Sequence, residues 1–180
     1  MDSMRSLINT GDYLEGLKAL LDKEVGENAQ VMYWGEVNPQ NKKRPFVFLT
    51  MPEVINSDWS GDGRHEDKLS VSILIKVPKN VDNAPIEALN VGGFVRSLIL
   101  GQVFSDYFNF EDDHFDQPEE IGGQGLDWDT NEQGYEVTFT QVIRYGTVEN
   151  PAFVLKAIDI KEAYGESERI YESTNTSESG

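Results

Sequence analysis

Carboxylates beside a histidine are the first chemistry this chain offers. The run FEDDHFD holds Glu111, Asp112, Asp113, His114 and Asp116 within seven residues. Oxygen and imidazole donors of this kind can hold a divalent metal. The same acids can equally stay solvated on a loop. Upstream, HEDK sets Glu66 and Lys68 as an E-x-K pair, with Asp58 or Asp62 before it. Metal-dependent nucleases use carboxylates for Mg²⁺ and a lysine for developing charge. A formal net charge of -17 would repel a DNA substrate from such a site.

Two further runs fail as motifs. DWDTNEQGYEVT resembles a calcium loop at its first, third and fifth positions, Asp127, Asp129 and Asn131. Its sixth position is Glu132 where the sharp turn needs glycine, and its twelfth is Thr138 where a bidentate glutamate is needed. A polar turn entering a strand accounts for it. GGQG (122–125) lacks the Lys-Ser/Thr of a phosphate loop and reads as a hinge. His65 and His114 are far apart, and no Ser/His/Asp set can be assembled from spacing. The expectation is a protein with no catalytic residues, no metal and no cofactor, and not an enzyme.

Length and charge narrow the rest. The 180 residues suffice for one domain with a real core. Hydrophobic residues make up 38% and charged residues 26%, the balance of a globular chain. The excess of acid argues against nucleic acid or an anionic membrane as an attractive partner. There is no cysteine, hence no disulfide and no thiolate metal site. No apolar run reaches signal-peptide or membrane-span length, which places the chain in a cytoplasm.

These residues must be positioned by secondary structure that the hydrophobic pattern reveals. An arm (1–11) precedes a helix over 12–25, with Leu14, Leu17, Leu20, Leu21 and Val25 on one face and Asp12 with Glu15 as its cap. Strands are expected at 29–37 and 45–51, then a polar loop at 56–67 that exposes Trp59. In 68–78, Leu69, Val71, Ile73, Ile75 and Val77 alternate with polar residues, which makes a long strand with one buried face. A second helix begins near Asn83 with Pro85 in its first turn. Ile86, Leu89, Phe94, Leu98 and Ile99 line its packed side, and Gly92 and Gly93 imply close packing or a kink. Strands follow at 135–145 and 153–161, and 162–180 is a polar tail, disordered from 173. The fold class is α+β: a mostly antiparallel sheet flanked by two helices, ordered α-β-β-β-α-β plus a C-terminal strand, in one domain spanning 1–161.

One segment resists this scheme. From Ser97 to Ile143 the chain has no lysine or arginine. Within it, FSDYFNFEDDHFDQPEE interleaves aromatic rings with acids. Phe104, Tyr107, Phe108, Phe110 and Phe115 should pack on the domain or on a neighbouring subunit. Asp106, Glu111, Asp112, Asp113 and Asp116 would then face outward. Trp59, flanked by Asp58 and by Gly61 and Asp62, has the character of a contact anchor, or folds back on its own sheet.

The order of the first helix, RPFVFLTMPEV, the loop INSDWSGDGRHED, the strand KLSVSILIKVPKN, the second helix and GYEVTFTQVIRYG resembles the tail terminator (tail completion) proteins of long-tailed phages. The likeness covers residues 12–146. It implies a structural virion protein at the tail–neck junction. Six copies would form a ring that caps the tail tube, ends its growth and joins the head. The implied partners are the chain itself, the tail tube protein, a head–neck connector and, for a contractile tail, the sheath. DNA would pass through without specific binding. Trp59, Asp58 and Asp62 would then touch the tube or a neighbouring subunit, and the acidic loop would line the lumen. Other readings are a different neck connector or baseplate component, a soluble adaptor, and the Mg²⁺ nuclease built on Asp58, Glu66 and Lys68.

Overall fold

The computed structural model describes residues 6–36, 44–101, 114–129, 132–147, 157–161 and 167–172, the last two segments and 127–129 by backbone alone. Helix α1 (Thr10–Val25) starts two residues earlier than the sequence pattern suggested. Its cap is Asn9, whose side chain accepts from the Asp12 amide while the Asp12 carboxylate accepts from the Asn9 amide. Asp12 is therefore the third helical residue of a capping box rather than the cap itself. Leu7, placed by sequence in the arm, is fully buried in the core.

Strands β1 (Gln30–Tyr33), β2 (Phe46–Leu49), β3 (Glu53–Trp59), β4 (His65–Pro78), β5 (Glu119–Asp129) and β6 (Glu132–Arg144) form one sheet. Its order is β1-β2-β4-β6-β5, with β3 also paired to β4. β1 runs parallel to β2, and the other pairings are antiparallel. The fold is α+β, as the pattern of elements required. β4 is the spine. Leu69, Val71, Ile73, Ile75 and Val77 are buried and share one core cluster with the buried residues of both helices. The helices therefore cover one face of the sheet. The other face carries a smaller cluster of Met32, Phe46 and Phe48, against which Leu74 packs.

Helix α2 (Ala84–Ile99) corrects the sequence reading of its packed side. Ile86, Leu89 and Phe94 are exposed, whereas Ala84, Ala88, Val91, Gly92, Val95 and Ile99 are buried. The small residues let the helix axis approach the sheet. A Cβ on Gly92 would lie 2.2 Å from Cδ1 of Tyr135, so that ring occupies the space glycine leaves. Gly93 has open space around it. Close packing, at Gly92 alone, explains the pair.

Two segments read as loops are strands. Residues 56–67 split into β3, a turn and the start of β4. The 122–125 hinge lies within β5, and a Cβ on Gly123 would meet the Tyr135 hydroxyl oxygen at 2.7 Å. Gly123 sits here because the neighbouring strand's tyrosine leans over it, not because the backbone must bend. The calcium-like run is the β5–β6 hairpin, with Asp129 paired to Glu132 in register.

The chain divides into one unit at Met1–Thr147 and another at Val148–Gly180, where the sequence set the domain limit at 161. In the second unit β7 (Ala157–Lys161) pairs antiparallel with β8 (Ser167–Glu172). The expected strand at 153–161 therefore joins a hairpin of its own, and part of the expected polar tail is strand. Residues 153–156 and 173–180 lie outside the described residues.

Candidate assembly surface

The β3–β4 hairpin gathers the residues singled out around Trp59. Its turn is set by charge. Arg64 Nε and Nη2 donate to Oδ2 of Asp62 at 2.9 and 2.6 Å, and the Arg64 amide donates to Oδ1 at 3.1 Å. The Ser60 hydroxyl also donates to Asp62 Oδ1. These bonds, the Arg64 guanidinium first, hold the Asp62 carboxyl well below the usual carboxylate range. Gly63 sits at φ +85°, a conformation that favours glycine. Asp62 is thus occupied in shaping the turn.

Behind the turn lies a buried polar network. Arg64 is 5% exposed and His114 is fully buried. His114 Nε2 accepts from the Leu7 amide at 3.2 Å, so its proton sits on Nδ1, which donates to the Arg144 carbonyl at 2.8 Å. Both ring nitrogens serve the backbone. His114 is a satisfied core histidine that ties the chain start to the end of β6, and it has no lone pair left for a metal. Asp67, also buried, accepts from Ser57 at 2.5 Å and from the Tyr145 hydroxyl at 2.7 Å. Burial pushes the Tyr145 phenol well above its ordinary value. No signal in the sequence marked Asp67 and Tyr145 as a pair, because they are 78 residues apart in the chain.

On this base stands an exposed strand. All seven residues of β3 are exposed. β3 pairs on one side with β4 and has no partner strand on the other side among the described residues. Val54, Ile55 and Trp59 present apolar surface there, and Met51 just before the strand is 90% exposed. Ile55 is the extra residue of a bulge between Val54 and Asn56. The Trp59 ring meets His65 edge-on at 6.1 Å, and His65 stacks on Tyr145 at 5.3 Å. That row of rings orients Trp59 and still leaves it 71% exposed.

Asp58 and Glu66 are register partners across β3 and β4, so they share a sheet face, with Lys68 two residues further along. Glu66 Oε2 accepts from Arg144 Nε at 3.1 Å, and Lys68 Nζ lies 3.9 Å from Glu119. Among the described residues no group of three or more His, Asp or Glu side chains could hold a metal ion. The three nuclease candidates are near one another without forming a cation cage.

Of the acidic loop, Asp106, Glu111, Asp112 and Asp113 lie outside the described residues, as do Phe104, Tyr107, Phe108 and Phe110. Asp116 receives two bonds from the Arg144 guanidinium, at 2.8 and 2.9 Å. This carboxylate is tied to β6. Phe115 is buried, pairs with Ile143 in an isolated bridge and packs near Tyr13 at 6.2 Å. Its ring belongs to its own domain's core.

No helix among the described residues is long and apolar enough to cross a membrane. No family model matches the chain. Comparison with curated proteins gives no significant match.

Proposed function

We propose that this chain is a structural virion protein of the tail terminator kind. It assembles into a ring, of six copies in the resemblance that motivates the reading, at the end of a tail tube. The observation that carries the proposal is β3, an edge strand exposed along its whole length and bearing Val54, Ile55 and Trp59. Long exposed edges recruit further strands, and proteins that stay monomeric cover or shorten them. Strand addition gives main-chain bonds, and Trp59 supplies a large oriented ring for a neighbouring subunit or the tube. Asp62 and Arg64 hold the turn that presents it.

The charge agrees with a conduit. A wall of net negative charge does not retain DNA, whereas a basic wall would bind many phosphates. Repulsion between copies, each at -17, predicts that the ring becomes more stable with added salt. The partners are other copies, the tail tube protein and a head–neck connector, with a sheath in a contractile tail. A neck connector or baseplate component would use the same edge.

Electron microscopy of the purified chain, alone and with assembled tail tubes, tests the proposal. Rings on tube ends are expected for the parent and lost for Trp59→Ala at unchanged thermal stability. The parent failing to bind tube ends would sink it. A second reading follows from Asp58 lying opposite Glu66. It predicts Mg²⁺-dependent cleavage of DNA that Glu66→Gln abolishes.

A further inference from the structure

A groove of about 630 Å³ opens where the N-terminal half of α1 meets the ends of β1 and β2. Its size falls within the range of ligand-binding clefts. Its walls are mainly apolar: Leu14 from α1, Tyr33 and Trp34 from β1 and the turn after it, and Met51 beyond β2. Two carboxylates, Glu15 and Glu36, stand in the same lining, and among the described residues no lysine or arginine does. Trp34 packs edge-on against Phe48 at 5.7 Å, which fixes its ring while leaving the side chain more than half exposed. Glu36 is positioned by the turn after β1. Its Oε2 accepts from the Tyr33 amide at 3.1 Å, and its own amide donates to the Tyr33 carbonyl.

We propose that this groove docks a segment of a partner protein that presents a lysine or arginine beside a bulky aliphatic side chain. The aliphatic group would fill the floor between Leu14 and Met51. The cation would lie against the Tyr33 and Trp34 rings, within reach of Glu15 and Glu36. Aromatic faces and carboxylates attract the same charge, and an apolar slot gives the stem of a long basic side chain a place to lie. A cation is already drawn to this spot: Lys18 Nζ lies 5.7 Å from the Tyr33 ring centre, although it is paired with Asp22 at 2.6 Å. After burial, the same charges bear on the Tyr33 phenol. Lys18 pulls its pKa down, Glu15 and Glu36 push it up, and the net direction is upward. An anionic or purely apolar segment would bring no countercharge to the two carboxylates.

The proposal does not depend on ring assembly and is tested on the isolated full chain. The probes are N-acetyl-Leu-Lys-Leu-amide and its Leu-Glu-Leu counterpart, titrated into ¹⁵N-labelled protein at low salt and followed by amide and indole shifts. The lysine peptide should move the signals of Gly11, Trp34 and Glu36 in a saturable way. The glutamate peptide should leave them in place. Glu15→Gln and Glu36→Gln, each checked for an unchanged melting temperature, should weaken binding about two- to fivefold apiece, the size of a rim ion pair. Trp34→Ala should weaken it further. Equal shifts from both peptides, shifts scattered over the acidic surface, no saturable shift, or insensitivity to both glutamine variants would each overturn the proposal.

Discussion

β2 and β3 pair with the same strand along the same edge, and they could hardly differ more. β2 meets β4 through Phe46–Leu49, and all four of its residues are buried. β3 meets β4 nearer its start, and all seven of its residues are exposed. Hydrogen bonding to β4 is common to both, so the backbone ladder does not explain the contrast. Cover does. β2 is packed on both faces, with Val47 and Leu49 in the helix-covered core and Phe46 and Phe48 in the cluster opposite. β3 projects past both clusters. Buried apolar surface in β2 stabilises the monomer. The apolar surface of β3 is left exposed among the described residues.

The largest effect that sharpens this contrast is expected at Phe46. Phe46→Ala should cost about 3–5 kcal/mol, measured by urea unfolding, because it removes a buried ring and leaves a cavity. Ile55→Ala in β3 should stay within about 0.5 kcal/mol, as for surface positions. Equal losses at the two sites would mean that β3 is part of the monomer's core.

The second contrast lies within α2. Gly92→Ala drives a methyl into the Tyr135 ring and should cost about 1–3 kcal/mol. Gly93→Ala meets open space and should raise stability by up to about 1 kcal/mol. Thermal melts of the two variants should therefore move in opposite directions, and a shared direction would contradict the packing described for Tyr135.

The smallest effect concerns the turn that holds β3 in place. The folded carboxyl of Asp62 titrates below its ordinary value of about 3.9. Its bonds to Arg64 therefore add stability that is complete above that value and is lost as pH falls below it. Asp62→Asn should lower the melting temperature slightly at pH 7, and the gap to the parent should close as pH falls below about 4. The effect is slight because the carboxylate faces solvent. An unchanged acid limb would show that the turn does not depend on this charge.

The sequence was most readable where one face is wet and the other dry. β4 alternates cleanly, and α1 carries a single apolar stripe, so both could be placed from period alone. β3 and β5 could not. An exposed edge strand has no dry face to generate alternation, and β5 trades bulky residues for Gly122, Gly123 and Gly125, of which Gly123 lies beneath the Tyr135 ring. α2 was placed correctly, and Leu98 and Ile99 do face the core, but Ile86, Leu89 and Phe94 face out while Ala84, Ala88 and Gly92 face in. Ile86, Leu89 and Phe94, like Val54 and Trp59 on β3, are exposed apolar surface. At the surface site, Trp59 was legible as an exposed ring. Asp62 proved to be an internal turn lock, and Asp116 an ion pair with Arg144. The groove was invisible in the sequence because residues 11–15, 33–36 and 49–51 meet only after folding.

The most direct test of the account is the state of the full chain mixed with assembled phage tail tubes. Purified protein is mixed with assembled tubes and imaged, with mass measured in parallel by light scattering across a range of salt. The account predicts closed rings seated on tube ends for the parent, firmer as salt rises. It predicts none for Trp59→Ala, although that variant melts at the parent's temperature. A parent that stays monomeric and leaves tube ends bare, or a Trp59→Ala variant that forms the same rings, would contradict it.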